Sequence, residues 1–172
     1  MSEKALRQRI LLPLLQKYDF THVEERHGPN ERGVDILCLR QDEMGDLDVV
    51  VIQAKRLQFS GAVSKPGHLH GLLNQLSQCL KEPVKLPDGT ARLPTRTWFV
   101  SPFPLDILAL EASFAAFSES LANRIKIIDG IKLIAVLQHK APELLAQIGD
   151  TYALYLKRLE DELVLCITVA SL

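Results

Sequence analysis

Two short apolar runs constrain this chain most, because each ends in polar groups that a buried strand does not ordinarily carry. The first begins in Glu31-Arg32-Gly33-Val34-Asp35-Ile36 and continues to Leu39; the second runs from Leu47 through Val49-Val50-Val51-Ile52 to Gln53-Ala54-Lys55-Arg56. Side chains alternate along a strand, so Gln53 and Lys55 point to one face. Between the runs, Gln41-Asp42-Glu43-Met44-Gly45-Asp46 is rich in turn-forming residues and predicts an antiparallel hairpin. Such a hairpin brings Asp35 beside Gln53 and Lys55. A carboxylate, an amide and an ammonium then meet at one end of a sheet.

At 172 residues the chain is long enough to bury a core of its own and short enough for one domain. The longest apolar run, Leu163 to Ala170, is too short to span a bilayer, and the N-terminus has no apolar signal core. The expectation is a cytoplasmic protein with no membrane partner. Cys38, Cys79 and Cys166 are odd in number and far apart, which speaks against a disulfide framework and for core thiols. Net charge is −1, but its distribution is uneven. From Asp19 to Asp48 nine acidic residues face Arg26, Arg32 and Arg40, whereas from Lys55 to Arg96 seven basic residues face Glu82 and Asp88. A segment suited to cations thus adjoins one suited to phosphates; two solvated faces of opposite sign would look the same.

The apolar period of Leu6, Ile10, Leu11, Leu14 and Leu15 predicts a helix over 3–17, with Ser2 and Glu3 at its start and a kink or break at Pro13. Strands are expected over 20–24, 34–40, 47–55, 95–100 and 124–128. Further helices are expected over 68–81, 104–121 and 131–139, with turns at Asp88-Gly89 and Asp129-Gly130. The longest helix is expected over 142–163, where Leu145, Ile148, Tyr152, Tyr155 and Leu159 form a short seam that either packs on the domain or mediates association. The order of elements predicts an α/β sandwich around a mixed sheet.

On Asn30-Glu31-Arg32-Gly33-Val34-Asp35-Ile36, Val51-Ile52-Gln53-Ala54-Lys55-Arg56 and Arg124-Ile125-Lys126-Ile127-Ile128-Asp129-Gly130, the sequence resembles the PD-(D/E)xK restriction-endonuclease-like superfamily. Its Mrr-like branch, where Gln often replaces the second carboxylate, is the nearest likeness. The resemblance implies an αβββαβ core over 1–140, with an added C-terminal helix and tail over 141–172. It also implies a Mg²⁺-dependent DNA endonuclease, with Mn²⁺ as a substitute ion, serving restriction, defence or DNA processing. Asp35, Gln53 and Lys55 would be catalytic. Asp35, Gln53, the backbone carbonyl of Ala54 and Glu31 would hold the metal, a hard cation that prefers oxygen. Glu24 and Glu25 are lesser candidates. Arg56, Gly61, Lys65, Gln75, Arg92 and Arg96 would contact DNA, mainly through phosphates.

The chain departs from the branch on its first helix. There the branch often supplies a Glu ligand, and this sequence has Arg7, Gln8 and Arg9, with only Glu3 acidic. Without the resemblance, Asp35 reads as a structural partner of Lys55 or Arg56. The alternative function is a catalytically silent nuclease fold that binds nucleic acid or serves assembly. Expected partners are DNA, a second copy of the chain, and a fused or separate domain.

Overall fold

The computed structural model describes residues 2–26, 33–56, 66–105, 114–115 and 117–148, with backbone alone at 66–70 and 146. The first helix, α1, is an α-helical turn at Glu3–Ala5, a π-helical stretch at Leu6–Leu11 and a second α-helical turn at Leu12–Leu15. Ser2 caps it, its hydroxyl accepting from the Ala5 N–H at 3.2 Å. The expected break at Pro13 is instead a widened helix: the Leu12 N–H bonds the Arg7 carbonyl, five residues back. Proline has no N–H to donate and its ring crowds the carbonyl four residues earlier, so the wider register relieves the conflict without ending the helix.

The sheet contains β1 (His22–Glu25), β2 (Ile36–Gln41), β3 (Leu47–Ala54), β6 (Arg96–Val100) and β7 (Ile125–Ile128), in that spatial order. β1, β2 and β3 are antiparallel neighbours; β6 and β7 run parallel to β3. Helix α2 (Pro66–Cys79) lies within the crossover from β3 to β6, as does a small hairpin of β4 (Val84–Lys85) and β5 (Ala91–Arg92) turning at Asp88-Gly89. A short α3 (Glu119–Ala122) precedes β7, and α4 (Gly130–Lys140) and a 3₁₀ helix (Pro142–Ile148) follow it.

Alternation along β3 divides the core. Val50, Ile52 and Ala54 pack with α1, α4 and the 3₁₀ helix; Val49 and Val51 face the other side with Cys79 and Leu86. Leu72, Leu73 and Leu76 of α2 pack there too, against Phe99 and Ile127. Helices on both faces explain why the central strands are nearly all apolar. The expected α/β class, mixed sheet and nuclease-like core order are therefore what the chain forms.

Three expectations change. The long helix over 104–121 does not extend to its end: Ser118 is extended (φ −64°, ψ 147°) and starts α3, while 106–113 lie outside the described residues. Asp129 is the N-cap of α4, its carboxylate accepting from the Lys132 N–H at 2.9 Å, rather than part of a free turn. At 142–148 the chain is 3₁₀, not α; the rest of the expected C-terminal helix lies outside the described residues. Leu144 and Ile148 are buried in the α1–α4 core, so this segment packs on its own domain. Among the described residues no helix is long and apolar enough to cross a membrane.

Candidate active site

The paired β2–β3 register ends with Ile36 opposite Ile52, so Asp35 stands just beyond it at the end of the hairpin. Backbone and side-chain bonds fix it there. The Asp35 N–H donates to the Ile52 carbonyl at 2.9 Å, and the Ala54 N–H donates to Asp35 Oδ2 at 2.8 Å. Gln53 and Lys55 share the face of β3 that looks toward α2, and both line one cavity. Lys55 Nζ lies 3.4 Å from Gln75 Oε1 on α2, so the amide chosen from that helix does meet the ammonium.

Gln53 is 4% exposed, and its Oε1 is buried without a hydrogen-bond partner. An orphaned carbonyl oxygen of this kind costs stability unless a donor or cation comes to it. Gly33 makes room for this side chain. Its φ is +87°, and a Cβ there would lie 2.7 Å from Gln53 Nε2. Both features require glycine at the start of the β2 approach.

Arg7 is the residue that sequence reasoning did not bring to the site. It is 9% exposed; its Nε donates to Glu25 Oε1 at 3.0 Å, and its Nη1 donates to Asp35 Oδ1 at 3.2 Å. The structural partner of Asp35 is thus Arg7, rather than Lys55 or Arg56. One signal was present: Arg7 shares the three-and-four spacing of Ile10 and Leu14, so it lies on the stripe that faces the sheet. Glu25, a lesser candidate from sequence, belongs to this cluster through Arg7, and Gln8 also bonds it at 3.0 Å. Glu24 instead pairs with His22 and Arg26.

Burial pushes the Asp35 carboxyl above its usual range, and the Glu3 carboxylate adds to the rise. The Ala54 N–H, Arg7 and Lys55 oppose it without cancelling it. Glu3, on the first turn of α1, also accepts from the Arg56 N–H at 3.0 Å, so it bridges the helix to the end of β3. The donors here are all oxygen: Asp35, the unpartnered Gln53 Oε1 and the nearby Glu3. Oxygen donors of this kind suit hard cations such as Mg²⁺ or Mn²⁺. Among the described residues no three His, Cys, Asp or Glu side chains gather as a cation cage. The Ala54 contact to Asp35 runs through its N–H.

The other expected residues are spread. Arg56 is exposed, with its guanidinium 5.5 Å from the Phe103 ring centroid. Arg92 is exposed on β5, opposite Val84, which lines the cavity. Arg96 is not with the site. Parallel pairing of β3 with β6 sets it beside Val50, and its Nε lies 3.8 Å from Asp48, which Arg40 and Thr95 also bond. Glu31, Gly61 and Lys65 lie outside the described residues. Cys38 and Cys79 are buried thiols, as expected; Cys166 lies outside the described residues.

No curated protein matches the chain. Among solved structures it is similar to the Moraxella osloensis Cap4 SAVED/CARF-domain containing receptor, with a TM-score of 0.41 and 16% sequence identity over 84% of this chain and 36% of that one. The chain thus spans well under half of that receptor's length. The Mrr_cat family model, described as restriction endonuclease, matches residues 1–76, the segment that contains Arg7, Asp35, Gln53, Lys55 and Gln75. Over residues 1–76 the chain is thus similar to that restriction-endonuclease family, which is consistent with the PD-(D/E)xK superfamily and with the sheet order.

Proposed function

We propose that this domain is a metal-dependent endonuclease that hydrolyses phosphodiester bonds in DNA. The observation that carries the reading is the buried, unpartnered Gln53 Oε1, in the cavity that Lys55 also lines and one residue before Ala54, whose N–H holds Asp35. Buried oxygens are seldom left without a donor, so such an orphan marks a place where a ligand would be welcome. Asp35 and Gln53 would hold Mg²⁺ or Mn²⁺, with Glu3 the nearest further carboxylate and Glu31 an additional candidate. When bound, that ion supplies Lewis-acid stabilisation of the phosphate and a more acidic water.

The remaining work belongs to the chain. The Lys55 ammonium positions the attacking water and opposes the charge that builds on the phosphate. Gln75, in contact with Lys55, limits where that ammonium points. The Ala54 N–H fixes the rotamer of Asp35. Arg7 neutralises Asp35 and Glu25 from the helix side, where the branch often carries another acid. That favours one metal rather than two, and weaker metal binding than a two-carboxylate site gives. Each site would cut one strand, so double-strand cleavage would take a second copy or a second nick. Arg56 and Arg92 supply sequence-neutral phosphate contacts. A restriction or defence setting, a cytoplasmic location and a fused partner domain belong to the same proposal.

One observation favours a second reading. Arg7 already occupies one oxygen of the Asp35 carboxylate, as it would in a silent nucleic-acid-binding module. Titration of the protein with Mn²⁺ separates the two. Saturable binding that weakens at least tenfold in Asp35→Ala and in Gln53→Leu is the nuclease result; no binding by the intact protein is the silent-module result.

A further inference from the structure

Beside the candidate catalytic groups lies a cavity of about 760 Å³, within the roughly 300–1,000 Å³ typical of small-ligand sites. Only two buried side-chain nitrogen or oxygen atoms among the described residues lack a partner, Gln53 Oε1 and Arg26 Nε. Both residues line this cavity. Arg26 is not loosely placed: its Nη2 donates to the Lys85 carbonyl at 2.6 Å and to Glu24 at 3.1 Å. Its guanidinium is held from one side, while the Nε donor is left unused.

The wall chemistry narrows the occupant. Val34, Cys79 and Val84 give partly accessible apolar surface that suits the faces of a flat ring. Gln75 and Gln78, successive lining positions on α2, each present an amide able to donate and accept, which suits the edge of a base. Lys55 and Lys85 line the same space and suit the flanking phosphates. We infer that this cavity receives one unstacked nucleotide of the nucleic-acid strand, next to the phosphate presented to Lys55. The inference rests on the nuclease reading for its strand, and it names the substrate class: single strands, or duplexes that readily release a base. Unstacking is easiest in those substrates, which makes them the preferred ones.

The test is a binding cycle with the full chain and a labelled single-stranded oligonucleotide, intact or carrying an abasic position that is walked along the strand. Gln78→Trp fills the cavity from an exposed helix position, so the fold should survive; circular dichroism and a Gln78→Ala control check this. At one abasic position the intact protein should lose about tenfold in affinity. Gln78→Trp should lose a similar factor on the intact strand and nothing further on the abasic one. Losses that simply multiply, or no loss at any abasic position, overturn the cavity assignment. Metal-dependent cutting of the same strands is read in parallel. Cutting with an uncoupled cycle removes the cavity proposal alone, a coupled cycle without cutting removes the nuclease reading alone, and neither binding nor cutting removes both.

Discussion

Replacing Arg7 by Met keeps the aliphatic stem and removes the guanidinium that joins Glu25 to Asp35. Arg7 is 9% exposed, and the Glu25 and Asp35 side chains are 15% and 23% exposed. Deleting one member of a fully buried pair typically costs about 3–5 kcal/mol, because the partner charge stays behind. The partial exposure of both carboxylates lowers that to about 2–4 kcal/mol here. The loss should also depend on pH. The Asp35 carboxyl is raised by burial even with Arg7 present. A raised acid adds stability fully below its unfolded-state pKa and loses that contribution as pH rises through the folded-state value. Without Arg7 the carboxyl rises further, so the variant is penalised most at neutral pH and less once Asp35 is protonated. Urea unfolding of both proteins, without metal, at about pH 7.5 and about pH 4.5 measures this. A loss below about 0.5 kcal/mol, or one equal at both pH values, would refute the reasoning.

Three shorter predictions concern the surroundings of the site. Gly33→Ala should cost about 1–2 kcal/mol, since φ is +87° and the new Cβ meets Gln53 Nε2; unfolding and Mn²⁺ affinity should both worsen. Gly130→Ala should destabilise the link between β6 and α4, because a Cβ there would lie 2.5 Å from the Pro102 carbonyl oxygen; a thermal melt below that of the parent protein checks it. Burial pushes the Cys38 thiol up to about 12, so it should react with a disulfide reagent only on unfolding, followed by peptide mapping; labelling of Cys38 in the folded protein would contradict its placement.

Much of the hairpin was legible because strand alternation and turn chemistry act locally. Gln53 and Lys55 share a face as the two-residue period requires, and the turn carries Asp35 to the same end of the hairpin, against the Ala54 N–H. The stripe of α1 and the run of α2 were legible for the same reason. Arg7 was harder to find, because its role depends on how α1 docks over the β1–β2 edge, which no local pattern fixes. Arg96 illustrates the same limit. Its charge suggested a phosphate contact, but a parallel crossover sets it at the opposite end of β6, where Asp48 takes it. The widened turn before Pro13 was half legible: proline signals a conflict, and the sequence does not say whether the helix breaks or widens.

The central claim is that Asp35, Gln53 and Lys55 form a working hydrolytic site. Incubating supercoiled and linear single-stranded DNA with the intact protein, Asp35→Ala and Lys55→Ala, with and without Mg²⁺ or Mn²⁺, tests it most directly. The account predicts metal-dependent cutting by the intact protein and its loss in both variants, with DNA binding retained. Binding without cutting by the intact protein, or cutting that survives either substitution, would contradict it.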